Sequence, residues 1–157
     1  MDINSLQKMG VELINKYCLN LKVGGPFAAL IIKDDKIVGC GVNKVLAKND
    51  PTAHAEMEAI RDACTNLKTY DLTGCELYAT GFPCPMCMSA IIWANIKKVY
   101  YSADYNDVTE LGFRDDFIFK FIKNGQKDKK VLELEQIGKE SIINLYKQFK
   151  DRKGEIY

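Results

Sequence analysis

Hydrophobic and polar positions follow two rhythms along this chain. Near the start, apolar residues recur every three or four positions from Ile3 to Leu21, which is the spacing of a helix with one buried face. Elsewhere, short apolar runs are bounded by Gly, Pro, Asn and Asp, as buried strands are. The predicted helices cover residues 2–21, 51–66, 85–95, 117–122 (a short helix) and 139–150 (the terminal helix). The predicted strands cover residues 27–32, 36–45, 75–80, 99–102 and 131–134. A polar loop over 46–50, an irregular segment over 104–116 and a charged loop over 123–130 connect them.

Strands that alternate with helices predict an α/β protein whose sheet carries helices on both faces. The 157 residues suffice for one domain with a real core, and 47% apolar and 27% charged residues are typical of a globular protein. A net charge of +1 argues against a dedicated nucleic-acid binder. We see no apolar run of 18 residues and no leader, and therefore expect a cytoplasmic protein without a membrane segment.

Six cysteines without a leader indicate a reducing compartment. Cys18, Cys40, Cys64 and Cys75 lie among apolar neighbours and are predicted to be mostly buried free thiols. His54 is the single histidine, so a mechanism that needs two histidines is excluded.

Two short segments carry the candidate chemistry, one with His54 and Glu56 and the other with Cys84 and Cys87. A catalytic zinc ion needs three protein ligands and one open position. The histidine and the two thiols can supply those ligands, and Glu56 is then left as the carboxylate that moves protons. The sequence therefore predicts a zinc site with an adjacent general acid–base.

Both segments are predicted to begin helices. Asp50 can cap with Pro51 in the first position, and Cys84 can cap with Pro85 in the first position. Thiols at a helix N-terminus have a lowered pKa, which favours metal binding. Residues two apart point about 200° apart on a helix, so a histidine and glutamate at this spacing share a site only if the metal lies close to the first turn.

A closed zinc knuckle that only stabilises the fold is the competing interpretation. A lone C-x-x-C fits a structural or a redox site equally well, and Cys40, Cys64 or Cys75 could supply a fourth ligand. The additional His-x-Glu favours a catalytic centre.

The pattern H-x-E followed by P-C-x-x-C resembles the signature of the zinc-dependent base deaminases. The order of elements resembles the cytidine-deaminase superfold, and further similarity, which extends to about residue 122, favours the bacterial guanine deaminases. The matching segments are Gly24–Phe27, Asn49–Glu56, Ala59–Arg61, Pro83–Cys87, Ala90–Ile91, Trp93–Ala94 and Gly112–Phe113, together with the C-terminal Tyr157.

This resemblance implies a single zinc-dependent deaminase domain over residues 1–157. The implied fold is a three-layer α/β/α sandwich with a central mixed sheet of about five strands. It further implies one zinc ion per chain on His54, Cys84 and Cys87, and a homodimer in which residues 139–157 are exchanged between subunits.

The implied reaction is hydrolytic deamination of a purine base, guanine to xanthine plus ammonia. The resemblance assigns catalysis to Glu56 and Asp115, and substrate contact to Asn43, Phe27, Ala55 and Tyr157. By composition alone Asn43 would be a strand-end turn residue and Tyr157 part of a frayed tail. Phe27 fits stacking and core packing equally, and core packing is slightly favoured for Trp93.

Two departures leave the substrate open. Gly81–Phe82 stands where guanine deaminases usually carry Cys-Glu, and Arg114 stands where they carry the first of two aspartates, so only Asp115 is retained. Another small base such as cytosine or a triazine such as ammeline, or adenosine in transfer RNA, could be the substrate. A zinc-stapled structural or binding domain is the non-enzyme alternative.

Overall fold

Four of the predicted strands form, and they make one sheet in the computed structural model, which describes residues 2–157. They are β1 (Ala28–Lys33), β2 (Lys36–Val42), β3 (Glu76–Gly81) and β4 (Lys98–Ala103). The sheet order is β2-β1-β3-β4, with β1 antiparallel to both neighbours and β4 parallel to β3. The predicted mixed sheet is confirmed, with four strands rather than five.

The helices are seven in the described chain, and one of them is extended by a π-helical stretch. They are α1 (Ile3–Leu13), continued as a π-helix over Ile14–Asn20, α2 (Val45–Lys48), α3 (Ala55–Leu67), α4 (Pro85–Trp93), α5 (Tyr105–Glu110), α6 (Asp116–Lys123) and α7 (Lys139–Asp151).

Helices cover both faces of the sheet, because side chains alternate between the faces along each strand. On one face, Leu30 and Tyr78 pack with Leu6 of α1. The opposite face forms the larger core, in which the strands pack against α3 and α4. Its buried members are Ala29, Ile31, Ala55, Ala59, Ala63, Leu72, Cys75, Leu77, Ala79, Ile91, Ala94 and Ile96. The predicted layering is thereby confirmed.

Helix α3 lies unusually close to β2. A Cβ atom added to Gly41 would lie 2.1 Å from the carbonyl oxygen of Ala55, and one added to Gly39 would lie 2.5 Å from that of Ala59. Real Cβ atoms do not approach so closely, so these two strand positions require glycine. The alanines that α3 presents to the strand allow this approach, which sets where the first turn of α3 lies.

The predicted strand over residues 131–134 does not form. Leu132 and Leu134 alternate with glutamates as in a strand, yet they are 51% and 63% exposed, and residues 132–138 have no regular structure. Because alternation alone does not supply hydrogen bonds, a strand needs a paired neighbour. The prediction of a polar loop over 46–50 is wrong in part, because this range overlaps α2. The prediction of an irregular segment over 104–116 is wrong in part, because it contains α5.

Two burial predictions are wrong. Trp93 was expected in the core but is 71% exposed. Helix α4 buries the face that carries Cys87 and Ile91, which are four residues apart, and Trp93 lies on a different face of the helix. Cys40 is exposed because it lies between two glycines that face α3 and therefore points to the other side of β2. The prediction is confirmed for Cys75, which is buried.

Residues 2–115 form one unit, which contains the sheet and α1 to α5. Residues 116–157 form a second unit, which contains α6 and α7. Within the described residues, the structure contains no helix with both the length and the apolar character that crossing a membrane requires.

Candidate metal and catalytic site

His54 caps the N-terminus of α3 in an extended conformation, with φ −70° and ψ 158°. The prediction that Asp50 and Pro51 begin this helix is wrong. Asp50 instead accepts hydrogen bonds at Oδ1 from the backbone N–H and the hydroxyl of Thr52, at 2.8 and 2.7 Å. Such a local turn competes with helix formation. Because His54 precedes the helix, the separation of about 200° between helical residues two apart does not apply to His54 and Glu56. His54 at the N-cap and Glu56 in the first turn can therefore face the same site.

Cys84 caps the N-terminus of α4, as predicted, and Pro85 takes the first helical position. Its Sγ accepts from the backbone N–H of Cys87 at 3.5 Å. Both thiols therefore lie at the end of the helix where unpaired N–H groups favour negative charge.

The two helix starts bring His54, Cys84 and Cys87 together. The His54 Nδ1 atom is 3.5 Å from Cys84 Sγ and 3.6 Å from Cys87 Sγ, and all three candidate ligand atoms lie within 4.8 Å of one another. A tetrahedral zinc ion with bonds of about 2.3 Å to sulfur and about 2.0–2.1 Å to nitrogen holds S and N about 3.6 Å apart. The spacing therefore fits zinc. In the described residues, none of the other cysteines joins the group.

The thiols form a tightly coupled pair. The hydrogen bond from the Cys87 thiol lowers the pKa of Cys84 to about 4, and His54 and the Cys87 backbone N–H act in the same direction. The same shared hydrogen bond, together with burial, raises the pKa of Cys87. The hydrogen bond to Cys84 also raises the pKa of His54, and the charges of Glu56 and Asp115 contribute to that shift. The lowered pKa of Cys84 favours its thiolate form, and a thiolate suits a bound cation.

Glu56 lies beside the thiols, where its Oε2 accepts from Cys87 Sγ at 3.4 Å. The residue is only 7% exposed, and burial raises the pKa of its carboxyl group. A buried carboxyl group with a raised pKa holds a proton more readily than a solvated one, which suits a group that takes and returns protons. Its position fits the predicted general acid–base.

Asn43 follows β2 and is 5% exposed. Its Oδ1 accepts hydrogen bonds from the backbone N–H groups of Gly25 at 3.1 Å and Val45 at 3.2 Å. Since a carbonyl oxygen has two lone pairs, these bonds occupy the acceptor, and the Nδ2 hydrogens are left to serve a ligand.

Phe27 is half-buried and packs edge-on against Phe113, with ring centroids 5.0 Å apart. Its other edge lies beside Gly81, where an added Cβ would be 3.2 Å from the Phe27 ring and 3.1 Å from Val108. The residue that replaces the expected cysteine is thus a glycine that leaves space for the aromatic pair.

Phe82 occupies the position of the expected glutamate. Its ring contacts Tyr101 and Tyr105 edge-on, with centroids 5.2 and 6.2 Å apart. An aromatic cluster therefore stands just before the first cysteine ligand, where the resemblance implied an acidic group.

The remaining predicted site residues are Ala55, Asp115 and Tyr157. Ala55 is the first residue of α3, and its N–H belongs to the first turn, whose donors have no partner inside the helix. The charge of Asp115 acts on the pKa of His54, so Asp115 lies within electrostatic range of the cluster. Tyr157 belongs to the second unit, and its role stays a prediction.

One charged residue of this region was not predicted from the sequence. Glu58 of α3 is 8% exposed and is surrounded by cations. A signal was present, because Glu58 lies on the same face of the helix as Ala55 and three residues before Arg61. The cations of α2 lie ten and more residues away along the chain and could not be assigned to it.

One histidine and two cysteines at helix starts, beside a buried glutamate, form a group that could hold zinc and that has the composition of a deaminase-type metal centre. Residues 6–103 match the family described as cytidine and deoxycytidylate deaminase zinc-binding region. The match covers more than half of the chain, which therefore belongs to this family.

Individual relatives include guanine deaminase from Bacillus subtilis (strain 168), which is 48% identical over 113 residues, 72% of each chain. The tRNA-specific adenosine deaminase of Buchnera aphidicola subsp. Schizaphis graminum is 39% identical over 122 residues, covering 76% of this chain and 81% of that protein. Among solved structures, the X-ray structure of guanine deaminase from Bacillus subtilis superposes with a TM-score of 0.87 and 38% identity, covering 96% of this chain and 95% of that one.

We predict that the purified protein holds one zinc ion per chain. His54→Ala, Cys84→Ala and Cys87→Ala should each lose zinc and melt at a lower temperature, because site formation is coupled to folding. Cys40→Ala is the matched control, since it removes an exposed thiol outside the group and should keep full zinc. Elemental analysis and thermal melting measure both effects, and full occupancy with unchanged melting in all three variants would refute the assignment.

Proposed function

We propose that this protein is a zinc-dependent aminohydrolase that converts guanine and water to xanthine and ammonia. The observation that carries the proposal is the superposition on Bacillus subtilis guanine deaminase over 96% of the chain. That coverage includes residues beyond the zinc region, which ends at residue 103 in the family match.

Deamination of adenosine in transfer RNA is the second candidate, because several relatives bear that name. A solved tRNA:A34 deaminase superposes with a TM-score of 0.60 over only 64% of this chain. The near-neutral net charge of +1 also provides little of the basic surface that RNA binding uses. Both observations favour the free base as substrate.

The proposed chemistry divides between the metal and the chain. A zinc ion on His54, Cys84 and Cys87 would lower the pKa of water toward about 7 and so supply hydroxide at neutral pH. Glu56 takes the proton from that water and delivers it to the ring nitrogen beside C2, the carbon that is attacked. Glu56 then takes the proton of the new hydroxyl group on C2 and passes it to the amino group, so the C2–N bond breaks, the C2 carbonyl forms and ammonia leaves.

The chain also supplies the groups that would hold the base. Asn43 offers the hydrogens of its Nδ2 to an acceptor on the purine edge, and the first-turn N–H of Ala55 offers a further donor. Phe27 is held edge-on by Phe113 and presents an aromatic surface for stacking. Asp115 assists proton transfer or binds the exocyclic amino group.

The direct test is ammonia release from a panel of bases and nucleosides by zinc-loaded protein. The proposal expects guanine to be the preferred substrate with xanthine as the product. Preferential turnover of cytosine, ammeline or adenosine in transfer RNA would support the corresponding alternative. No turnover of any compound would favour a structural zinc domain.

Glu56→Gln should keep zinc and the fold while lowering kcat by about three orders of magnitude, since a positioned general acid–base contributes about 10²–10⁴-fold. Glu76→Gln is the control, because Glu76 lies at the start of β3 and pairs with Lys98. It should retain full activity. Near-normal turnover by the Glu56 variant would show that another group is the base.

Asn43→Asp separates the structural and the substrate roles of this residue. The aspartate keeps an acceptor for the N–H groups of Gly25 and Val45 and replaces only the donor, so melting should be nearly unchanged. We expect kcat/KM for guanine to fall by about 10²-fold or more, because an acceptor would face an acceptor. Asn43→Ala should lose both stability and activity. Unchanged kinetics in Asn43→Asp would remove this residue from the substrate site.

We further propose that the C-terminal segment, residues 139–157, is exchanged within a homodimer and that Tyr157 closes the partner's site. Among residues 116–157, all of which the structure describes, only Phe121 is buried. Apolar side chains of this unit that are at least 49% exposed include Phe117, Leu132, Leu134, Ile137, Leu145, Tyr146, Phe149, Ile156 and Tyr157. A unit with so much exposed apolar surface supports packing against another chain.

Deletion of residues 154–157 should leave zinc bound and the fold intact while sharply reducing deamination, because water then enters the site. Complementation tests whether the tail acts on the other subunit. Co-expression of the truncated chain with full-length Glu56→Gln, each inactive alone, should restore about a quarter of the activity, since half of randomly paired dimers are mixed and each has one complete site. Wild-type turnover by the truncated protein would exclude the tail from the site, and no complementation would exclude exchange.

A further inference from the structure

A single buried carboxylate connects the two ends of the segment between β2 and α3. Glu58, one turn into α3, is 8% exposed. Its Oε2 accepts from Lys48 Nζ at 2.6 Å, and its Oε1 accepts from Arg61 Nη1 at 2.8 Å. Lys44 Nζ lies 3.9 Å from Oε2. Three cations, two of them from α2 and its cap, therefore converge on one acid.

The first branch of this network leads to Asn43. Lys44 precedes the short helix α2, and Lys48 is its last residue. The first N–H of this helix, that of Val45, donates to Asn43 Oδ1 at 3.2 Å. A helix of four residues is not stable by itself, so its position depends on contacts with the rest of the protein. The ion pairs to Glu58 are such contacts, and through α2 they act on the amide that would hold the base.

The second branch leads to His54. Arg61 donates from Nη1 to Glu58 and from Nη2 to the hydroxyl of Thr52 at 3.2 Å. Thr52 in turn donates to Asp50 and completes the turn that precedes the metal ligand. Burial alone would raise the pKa of Glu58, but the hydrogen bonds from Lys48 and Arg61 together outweigh it and hold the pKa below its usual value. The Glu58 carboxyl group is therefore ionised throughout the neutral range.

From this arrangement we infer that Glu58 is a positioning residue for the proposed deamination, and that it sets the distance between the substrate amide of Asn43 and the metal ligand His54. The inference rests on the proposed function. The Glu58 backbone N–H donates to the carbonyl oxygen of His54 at 3.0 Å, and a substitution of the side chain keeps this bond, so the Glu58 side chain acts by another route. Its effect passes through α2 on one side and through Arg61 and Thr52 on the other, so it should act on substrate binding more than on the chemical step.

The test compares Glu58→Gln with Asp62→Asn in the zinc-loaded, full-length protein. Asp62 lies one turn further along α3 and accepts from the backbone N–H of Cys40 at 2.9 Å, so it also joins α3 to β2 but away from the site. We expect Glu58→Gln to raise KM for guanine by about tenfold with kcat within about threefold of wild type and zinc retained. Asp62→Asn should leave KM unchanged.

Two further measurements make the route specific. Lys48→Met should raise KM in the same direction, and the double variant with Glu58→Gln should add little to the larger single effect, because both changes remove one contact. Amide hydrogen exchange over residues 43–48 should be faster in Glu58→Gln and unchanged in Asp62→Asn.

The outcomes separate this inference from the proposed function. An active wild type with unchanged KM in Glu58→Gln, or an equal rise of KM in Asp62→Asn, would overturn the positioning role. A wild type that releases no ammonia from guanine would refute the proposed function instead, and hydrogen exchange would then decide whether Glu58 positions the segment: unchanged exchange in Glu58→Gln would overturn that as well.

Discussion

The close approach of α3 to β2 is the contact on which the metal site depends. Gly39 and Gly41 have no side chain, and this lets the first two turns of α3 lie against the strand. A residue with a Cβ at Gly41 would collide with the carbonyl of Ala55, the first residue of the helix. The position of this contact determines where α3 begins, and the residue just before that beginning is His54.

The same principle operates at both halves of the site. Each of the two segments places one candidate ligand, His54 or Cys84, at the N-cap position of a helix, where the backbone is extended. The N-terminus of α4 favours negative charge on Cys84, and the buried carboxyl group of Glu56 lies next to the thiol of Cys87. The fold thus brings together a histidine, two thiols and a buried carboxyl group, which are groups that a hydrolytic zinc centre uses.

The members of the candidate site were predictable from the sequence because they fall in two short-range pairs, His54 with Glu56 and Cys84 with Cys87. Cys84, Pro85 and Cys87 carry their own capping geometry, and this prediction was confirmed. The start of α3 was predicted wrongly, because Asp50 can cap a helix or close a turn with Thr52, and the local sequence fits both. The cations that surround Glu58 and the exposure of Trp93 could not be predicted from the sequence either. Both depend on how elements that are distant along the chain pack together.

The central claim is that three protein ligands hold the zinc and leave one position open for chemistry. X-ray absorption at the zinc edge of the loaded protein measures this most directly. The account predicts two sulfur neighbours at about 2.3 Å and two lighter neighbours at about 2.0–2.1 Å, one from His54 and one exchangeable. A third sulfur neighbour, or a fourth ligand from the protein, would show a closed structural site and contradict the account.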